Sequence, residues 1–485
     1  MSFDLRIIYI IKIKVNLIMD QKTNIIIGEY SYDVTDYNHP GGNIIKYMSG
    51  QDATNTFEEF HYRSKKARAI LHSLPRTKIV PVENTTTEQK MLEDFVRFRK
   101  SLEDRGFFNP SYLHITYRIL ELVAIYYFAV WTMRYNIAAS ICVLGLFGGR
   151  CGWVQHEGGH NSFTGKIKID KMVQNIFIGF GLLADGSMWN SMHNKHHACT
   201  QKIGYDMDLD TSPFVLFYPS KNLDVKKQIL ERLDMNKGDA LHLFSFKVPI
   251  SESKIRGEGA VMSEECAADC ASSMRNGVTV SDKQKGPGLI DAVAKLWLKY
   301  QVYTFLPITS GILIVFFWIL YLHPRKIIRD RNLSQALIVS GGHLSRLGLF
   351  MWIGNASFKY ALLYHFITLW VSGVYLFGHF SLSHTFMPVV ETNENPNWVR
   401  YALEHTVDIE PQNHAVSWVM GHLNNQVVHH LFPSMPQYRG PEVTKELIEF
   451  CKKWDLKYTI ITYREAWDNM FANLRKVGNE VYERE

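Results

Sequence analysis

Three short histidine clusters stand far apart in this chain: His156-Glu157-Gly158-Gly159-His160, His193-Asn194-Lys195-His196-His197 and Gln426-Val427-Val428-His429-His430. Residues three and four apart share one side of an α-helix, so each cluster aims its imidazoles at one place. A fold that satisfies this sequence has to bring three helix faces together. A metal ion is the reason to do so, because imidazole suits zinc, copper and iron, and a single zinc takes about four ligands. Seven histidines exceed the need of one ion, so the clusters are read as a histidine-bound di-iron centre. A lone histidine in an apolar stretch is, by contrast, usually an ordinary core residue.

Apolar runs restrict how the clusters meet. Ile119 to Met133 and Ile137 to Val154, joined by Arg134-Tyr135-Asn136, form an expected transmembrane hairpin, each run close to the roughly 20 apolar residues a bilayer demands. The hairpin returns the chain to its starting face, where His156 emerges. Tyr303 to Leu322, Ala336 to Ile353 and Tyr360 to Phe380 follow. If the second and third clusters share a site, an even number of crossings separates them, so one of these runs must dip in without crossing. Tyr303 to Leu322 is expected to be that run: the second cluster precedes it and the basic Arg325 to Arg331 patch follows it, which puts both flanks in the cytosol. Arg346 argues for the alternative, in which Ala336 to Ile353 lies in the interface as an amphipathic helix.

A length of 485 residues implies two or three domains. A net charge of +6 without a dense basic stripe gives no sign of a nucleic-acid binder. Six cysteines without framework spacing suit reduced thiols, and Cys266 and Cys270 have no partner pair nearby. Met1 to Met19 is broken by Arg6, Lys12 and Lys14 and lacks a small-residue cleavage site, so no signal peptide is expected and Met19 is an alternative start. Pro81 to Glu88 is polar and opens a linker placed at 81–110, within which Leu92 to Leu102 has helical phasing. Residues 234–288 turn to Ser, Lys, Glu, Asp and Gly without periodicity and are read as a disordered insertion. From Pro441 onward the tail, helical over Val443 to Trp454 and strand-like over Leu456 to Thr462, is expected to form a soluble cap.

Near the amino terminus, Tyr32 to Thr35 leads into His39-Pro40-Gly41-Gly42, then Gln51-Asp52-Ala53-Thr54, then Phe57-Glu58-Glu59-Phe60-His61. This text resembles the haem-binding domain of cytochrome b5 from Ile25 to Ile79, and a domain is placed at 20–80. The resemblance implies haem b with His39 and His61 as axial ligands. Small residues after His39 suit that role, since a tight turn lets backbone approach the macrocycle. The usual leading helix and strand are nearly absent, so a shortened domain is expected.

The clusters and this domain together resemble the membrane-bound front-end fatty acyl desaturases, over 111–485 apart from the insertion. The resemblance is carried by the clusters, by Asp206 to Asp210, by Gly421 to Pro433, and by the glutamine opening the third cluster where other desaturases place histidine. It implies a mainly α fold: a multi-pass transmembrane helical bundle with a cytosolic histidine-rich cap, plus a small α+β cytochrome b5-like domain. It also implies cis double-bond insertion on the carboxyl side of existing double bonds, using O2, two iron ions and electrons from the fused haem domain. NADH-cytochrome b5 reductase would feed that haem, the fatty acyl substrate would ride on coenzyme A or a phospholipid, and the protein would sit in the endoplasmic reticulum bilayer with its histidines facing the cytosol. The implied iron ligands are His156, His160, His193, His196, His197, His429 and His430, completed by His384 at the end of the last apolar run. Asn424 is expected to orient a metal-bound water, with Gln426, Asp206 and Asp210 supporting the ligands. The Asp206-Asp208-Asp210 alternation fails as a calcium loop, having Thr211 where glycine belongs and no closing glutamate. His379 and His405 are lesser candidates, and His365 is assigned to packing. Val428 stands where the front-end group usually carries glutamate; delta-5 or delta-6 activity is preferred on resemblance.

Other readings compete. His156-Glu157-Gly158-Gly159-His160 matches the zinc metalloprotease motif with Glu157 as general base. Two helical glycines, at about 1 kcal/mol each, are an odd choice for that rigid helix, and a protease leaves five histidines and a haem domain without work. Sphingolipid long-chain base desaturases and hydroxylases use closely similar boxes. A haem-bearing electron carrier with a degenerate desaturase half is the non-enzymatic reading.

Overall fold

The computed structural model describes residues 23–42, 44–79, 86–206, 208–209, 211, 214–219 and 289–483, so Met1 to Met19, Asp210 and the expected insertion at 234–288 lie outside the described residues. The amino-terminal unit comprises β1 (Asn24–Ile27), β2 (Tyr30–Asp33), α1 (Ile44–Tyr47), α2 (Thr54–His61), α3 (Lys65–Ser73) and β3 (Arg76–Lys78). Its strands pair antiparallel in the order β1-β2-β3. Alternation along β1 sends Ile25 and Ile27 inward, where they meet Tyr32, Val34, Ala53 and Leu71. So small a core stabilises little alone.

The region expected to link the two domains is mostly ordered helix. Here α4 (Thr87–Asp104) opens with a reciprocal cap between Thr86 and Gln89. Its Met91, Phe95 and Leu102 are buried against Phe432, Val443, Leu447 and Phe450. The connection is therefore a strut packed onto the cap.

Next come α5 (Tyr112–Thr132), α6 (Ile137–Gly159), α7 (Ile167–Ile176), which continues in wider π-type turns over Phe177–Leu182, and α8 (Gly186–Ala198). After the undescribed stretch follow α9 (Leu289–Lys299), α10 (Gln301–Arg329), α11 (Leu333–Trp352) and α12 (Phe358–Phe380). The cap is built from α13 (Trp398–His405), β4 (Asp408–Ile409), α14 (His414–Val419), α15 (Gln426–Leu431), α16 (Gly440–Lys453), β5 (Ile460–Ile461) and α17 (Tyr463–Glu483), with β4 and β5 parallel.

Among the described residues, four helices are long and apolar enough to cross a membrane: α5, α6, α10 and α12. Contacts separate them differently. At the end remote from the histidines, Ala129 and Met133 of the first hairpin pack with Ile141, Phe350 and Ala361, joining the α5–α6 and α11–α12 turns. At the histidine end, Gln335 near the start of α11 donates to the Ala184 carbonyl (2.9 Å). So α11 connects the two ends of the bundle, although its composition falls short of the criterion that α10 meets. Both ends of α10 stay on the histidine side: Gln301 bonds the Leu216 and Leu474 backbones, and His323 accepts from the Asp185 N–H (2.8 Å). Its middle reaches α12 where Phe316 stacks on Phe366. Where composition and contacts disagree, contacts decide, because a span must join both faces.

Arg346 explains why α11 looks a poor span. It is buried, and its guanidinium donates to the Phe180 and Gly181 carbonyls (3.4 and 3.0 Å), which lie in the π-type turns that end at Leu183 with φ 61°. A charge at membrane depth is tolerated when it faces inward onto backbone acceptors. Leu120, Val123, Tyr127 and Phe128 of α5 and Leu337 and Leu344 of α11 are exposed, as are Trp131, Tyr135, Trp352 and Tyr360 around the remote turns. Apolar faces with an aromatic rim are what a bilayer selects. Cys142, Cys151, Cys199 and Cys451 are free thiols among the described residues.

Candidate metal centres and acyl cavity

Box one closes α6, box two lies on α8 and box three on α15, and all three converge. Gly158 permits this approach: a Cβ there would stand 2.8 Å from the Asp170 carbonyl oxygen of α7. Two groups result. His156, His160, His193, His197 and His429 form one, and His196, His384 and His430 the other, the donor atoms of each group lying within 4.8 Å of one another and all eight residues buried. Adjacent histidines on a helix point about 100° apart, so each His-His pair divides itself between the groups: His197 and His429 join the first, His196 and His430 the second.

The outer ring nitrogens show what the inner ones are for. His196 Nδ1 meets Asp206 (2.9 Å), His193 Nδ1 meets Asp208 (3.3 Å) and His430 Nδ1 meets the Thr200 hydroxyl (3.1 Å). Thr200 already donates to the His196 carbonyl, so its oxygen accepts the His430 N–H. His156 Nδ1 meets the Gln437 amide at 2.5 Å while Gln437 Oε1 is left buried without a partner; exchanging the amide oxygen and nitrogen pairs that oxygen with Nδ1–H. With Nδ1 protonated in these four rings, Nε2 carries a bare lone pair. Yet His156 and His193 bring Nε2 atoms to 2.9 Å, and His196 and His430 to 3.3 Å. Facing lone pairs repel unless a cation lies among them, so the donor set fits metal ions.

Charge agrees. Burial holds His160, His197, His384, His429 and His430 well below the usual histidine range, keeping them neutral for ligation. His196 is the exception: the Asp206 and Asp208 carboxylates outweigh burial and raise its pKa, so a metal bound there displaces a proton. Burial likewise opposes ionisation of Asp208, but His196 and His193 hold it down to about 2.

Other expected residues fall differently. Asn424 is buried, but its amide donates to the Ile409 and Glu410 carbonyls and its oxygen accepts from Asn425, so it ties β4 to the loop before box three. Gln426 Oε1 is buried with no hydrogen-bond partner. His379 has both nitrogens engaged, by the Tyr375 carbonyl and the Tyr463 hydroxyl, and His405 meets the Pro388 carbonyl. His365 pairs with His343 (3.0 Å). Sequence reasoning misses Gln437 and Thr200: Gln437 opens a single 3-10 turn, Gln437–Arg439, that no periodicity marks, whereas Thr200 lies four residues after His196, a legible spacing. Glu157 turns away from the imidazoles, accepting from the Gln437 N–H (3.1 Å) beside His114 (3.6 Å).

In the amino-terminal unit the His39 and His61 rings lie edge to face, inclined by 68°, with centroids 5.9 Å apart. That gap accommodates a planar macrocycle ligated from both sides. Gly41 is required there, since a Cβ would lie 2.7 Å from the His39 ring, and Gly42 turns with φ 76°. Burial and the neighbouring His39 lower the His61 pKa to about 4.

A cavity of about 100 Å³ opens beside His156, His193 and Asp208 and continues into the bundle between Trp153, Ile178, Trp318, Leu369, Leu376 and Phe377. Its lining is largely apolar.

Comparison with known proteins places these features. Residues 134–232 and 273–462 match the fatty acid desaturase family model, and residues 16–97 match the cytochrome b5-like haem/steroid binding domain. An acyl-lipid (8-3)-desaturase of Rebecca salina is 34% identical over 464 residues, covering 94% of this chain and 92% of that protein. An acyl-lipid (8-3)-desaturase of Thraustochytrium sp is 32% identical, covering 95% and 94%, and the delta(6)-fatty-acid desaturase fat-3 of Caenorhabditis elegans is 23% identical, covering 91% of each. Spans with exposed apolar faces agree with an integral membrane protein. The chain belongs to the fatty acid desaturase family and carries a cytochrome b5-like domain at its amino-terminal end.

Proposed function

We propose that this protein is a front-end acyl-lipid desaturase that places a cis double bond between an existing double bond and the carboxyl end of its substrate. The observation that carries this is the pair of buried imidazole groups at the mouth of an apolar cavity. His156, His160, His193, His197 and His429 are assigned to one iron and His196, His384 and His430 to the other. Two irons bound there supply, with O2, the oxidising power that an unactivated methylene demands. Asp206, Asp208, Thr200 and Gln437 fix the ring tautomers. Trp153, Trp318 and Phe377 exclude water and hold the chain against His156 and His193. His39 and His61 hold haem b, which receives electrons from NADH-cytochrome b5 reductase, and the histidine face lies on the cytosolic side of the endoplasmic reticulum. The (8-3) names outweigh delta-6 because the relatives at 34% and 32% identity bear them, whereas the delta(6) relative is 23% identical.

Glu157 does not reach the imidazoles as a protease base would, and the complete histidine set leaves no reason for a degenerate half. Fatty-acid profiling of yeast fed single polyunsaturated acids tests the proposal. A product with one more double bond, nearer the carboxyl end, is expected. An unchanged profile with every acid, in membranes where the protein is loaded with haem and iron, overturns it, and one zinc per chain with no iron would point to hydrolysis.

A further inference from the structure

Five consecutive residues of the amino-terminal unit, Glu59 to Arg63, plug into the histidine face and touch the flank of every box. Arg63 donates to the carbonyl of Asn161, next to His160 (2.8 Å), and to that of Phe108 (2.5 Å). Glu59, almost fully buried, bonds Arg99 (2.5 Å) and the hydroxyl of Ser434, four residues beyond His430 (3.0 Å). Between them, Phe60 lays its ring edge-on to His197 of box two (centroids 6.5 Å) and to Trp398 (6.2 Å). Those separations are within the range of aromatic contact. Phe60 is covalently adjacent to His61, so one residue links the backbone of a haem ligand to the ring of an iron ligand.

We propose that electrons enter the iron site through this plug, with Phe60 as the positioning residue that closes the gap between His61 and His197. This rests on the ligand assignments above. In each transfer one electron leaves ferrous haem, which becomes ferric, and one iron(III) held by the first imidazole group becomes iron(II); no bond forms or breaks and no proton moves at Phe60. A buried Glu59–Arg99 pair, with Ser434 and Arg63 fixing the orientation, makes the docked pose a built feature, since breaking such a pair strands a buried charge.

The test is flash photoreduction of the haem by a photoexcited deazaflavin in anaerobic, iron-loaded full-length protein, following haem reoxidation at the Soret band. Phe60→Leu should slow reoxidation by up to roughly a hundredfold, the loss that a misplacement of about 1 Å can cause, while Phe60→Tyr stays near the parent rate. Tyr47→Leu is the control, because Tyr47 docks at the same interface, on the Tyr205 ring (4.9 Å) and under the Lys195 ammonium (5.4 Å), so it tests docking without altering Phe60. Equal slowing in Tyr47→Leu, or an unchanged rate in Phe60→Leu, overturns the role of the ring. The low-spin haem spectrum and the iron content of the same samples report on the ligand assignments separately, so failure of those assignments is distinguishable from failure of the path.

Discussion

The haem pair and the histidine face both rely on imidazole, yet they are held in place by different means. His39 and His61 are half-buried and come from a turn and a helix end, and His39 Nδ1 meets the backbone N–H of Gly41. The eight histidines of the bundle are buried, and four have their outer nitrogens fixed by side chains from other segments. A half-buried clamp suits a group that must exchange electrons with a separate donor. A buried, braced set suits ions that must keep water out and hold an acyl chain still. Exposure and rigidity are thus divided between two modules, and the plug at Glu59 to Arg63 joins them.

Substitutions break the comparison first. His429→Ala removes a ring from the first group and one member of a divided His-His pair. Product should fall below detection in fed yeast while the haem spectrum is unchanged; persistent turnover would contradict the ligand assignment. His61→Ala should do the reverse, abolishing the low-spin haem spectrum while iron stays bound. Separately added cytochrome b5 should restore part of its activity, and a complete lack of rescue would mean that the two modules cannot be separated.

A smaller effect is expected from residues that touch a histidine rather than a metal. Asp206→Asn and Gln437→Ala should each lower iron affinity or turnover by roughly 10–100-fold. Iron titration separates the two readouts. Gln437→Glu is the sharper probe, since a carboxylate can accept only from Nδ1–H and should retain most of the iron affinity. If Gln437→Glu loses as much as Gln437→Ala, the amide has another role.

How much of this was legible differs between the modules for the same physical reason. The histidine clusters are local patterns whose spacing declares them, whereas the His39 and His61 segments and His384 were read from the family resemblance that their surrounding motifs carry. Braces are not local: Gln437 reaches His156 across more than half the chain, and Asn424, expected near the metals, spends its amide on β4. The topology was legible only in part. Apolarity singles out α10, whereas inward-facing Arg346 dilutes α11, so hydropathy misranks the two helices and only contacts at both ends of the bundle show which one connects them. The expected linker hid a strut because its buried face consists of residues such as Met91, Phe95 and Leu102, whose partners Phe432 and Phe450 lie far along the chain.

The smallest effect tests whether the haem unit is a separate folding unit at all. Ser64, immediately after the plug, caps α3 by accepting from the Ala67 N–H (3.2 Å). Ser64→Ala should cost about 1 kcal/mol. In a domain of 60–100 residues a loss of that size lowers the melting midpoint by roughly 4–8 °C, but the shift shrinks as the cooperative unit grows. Following haem release by its Soret band and the bundle by tryptophan fluorescence resolves the alternatives. A shift of several degrees confined to the Soret signal means that the unit unfolds alone, pulling its plug from the histidine face first. A shift of a degree or less in both signals together means that Glu59, Arg63 and the α4 strut have fused the modules into one cooperative structure, and the division of labour between them is then a division of exposure alone.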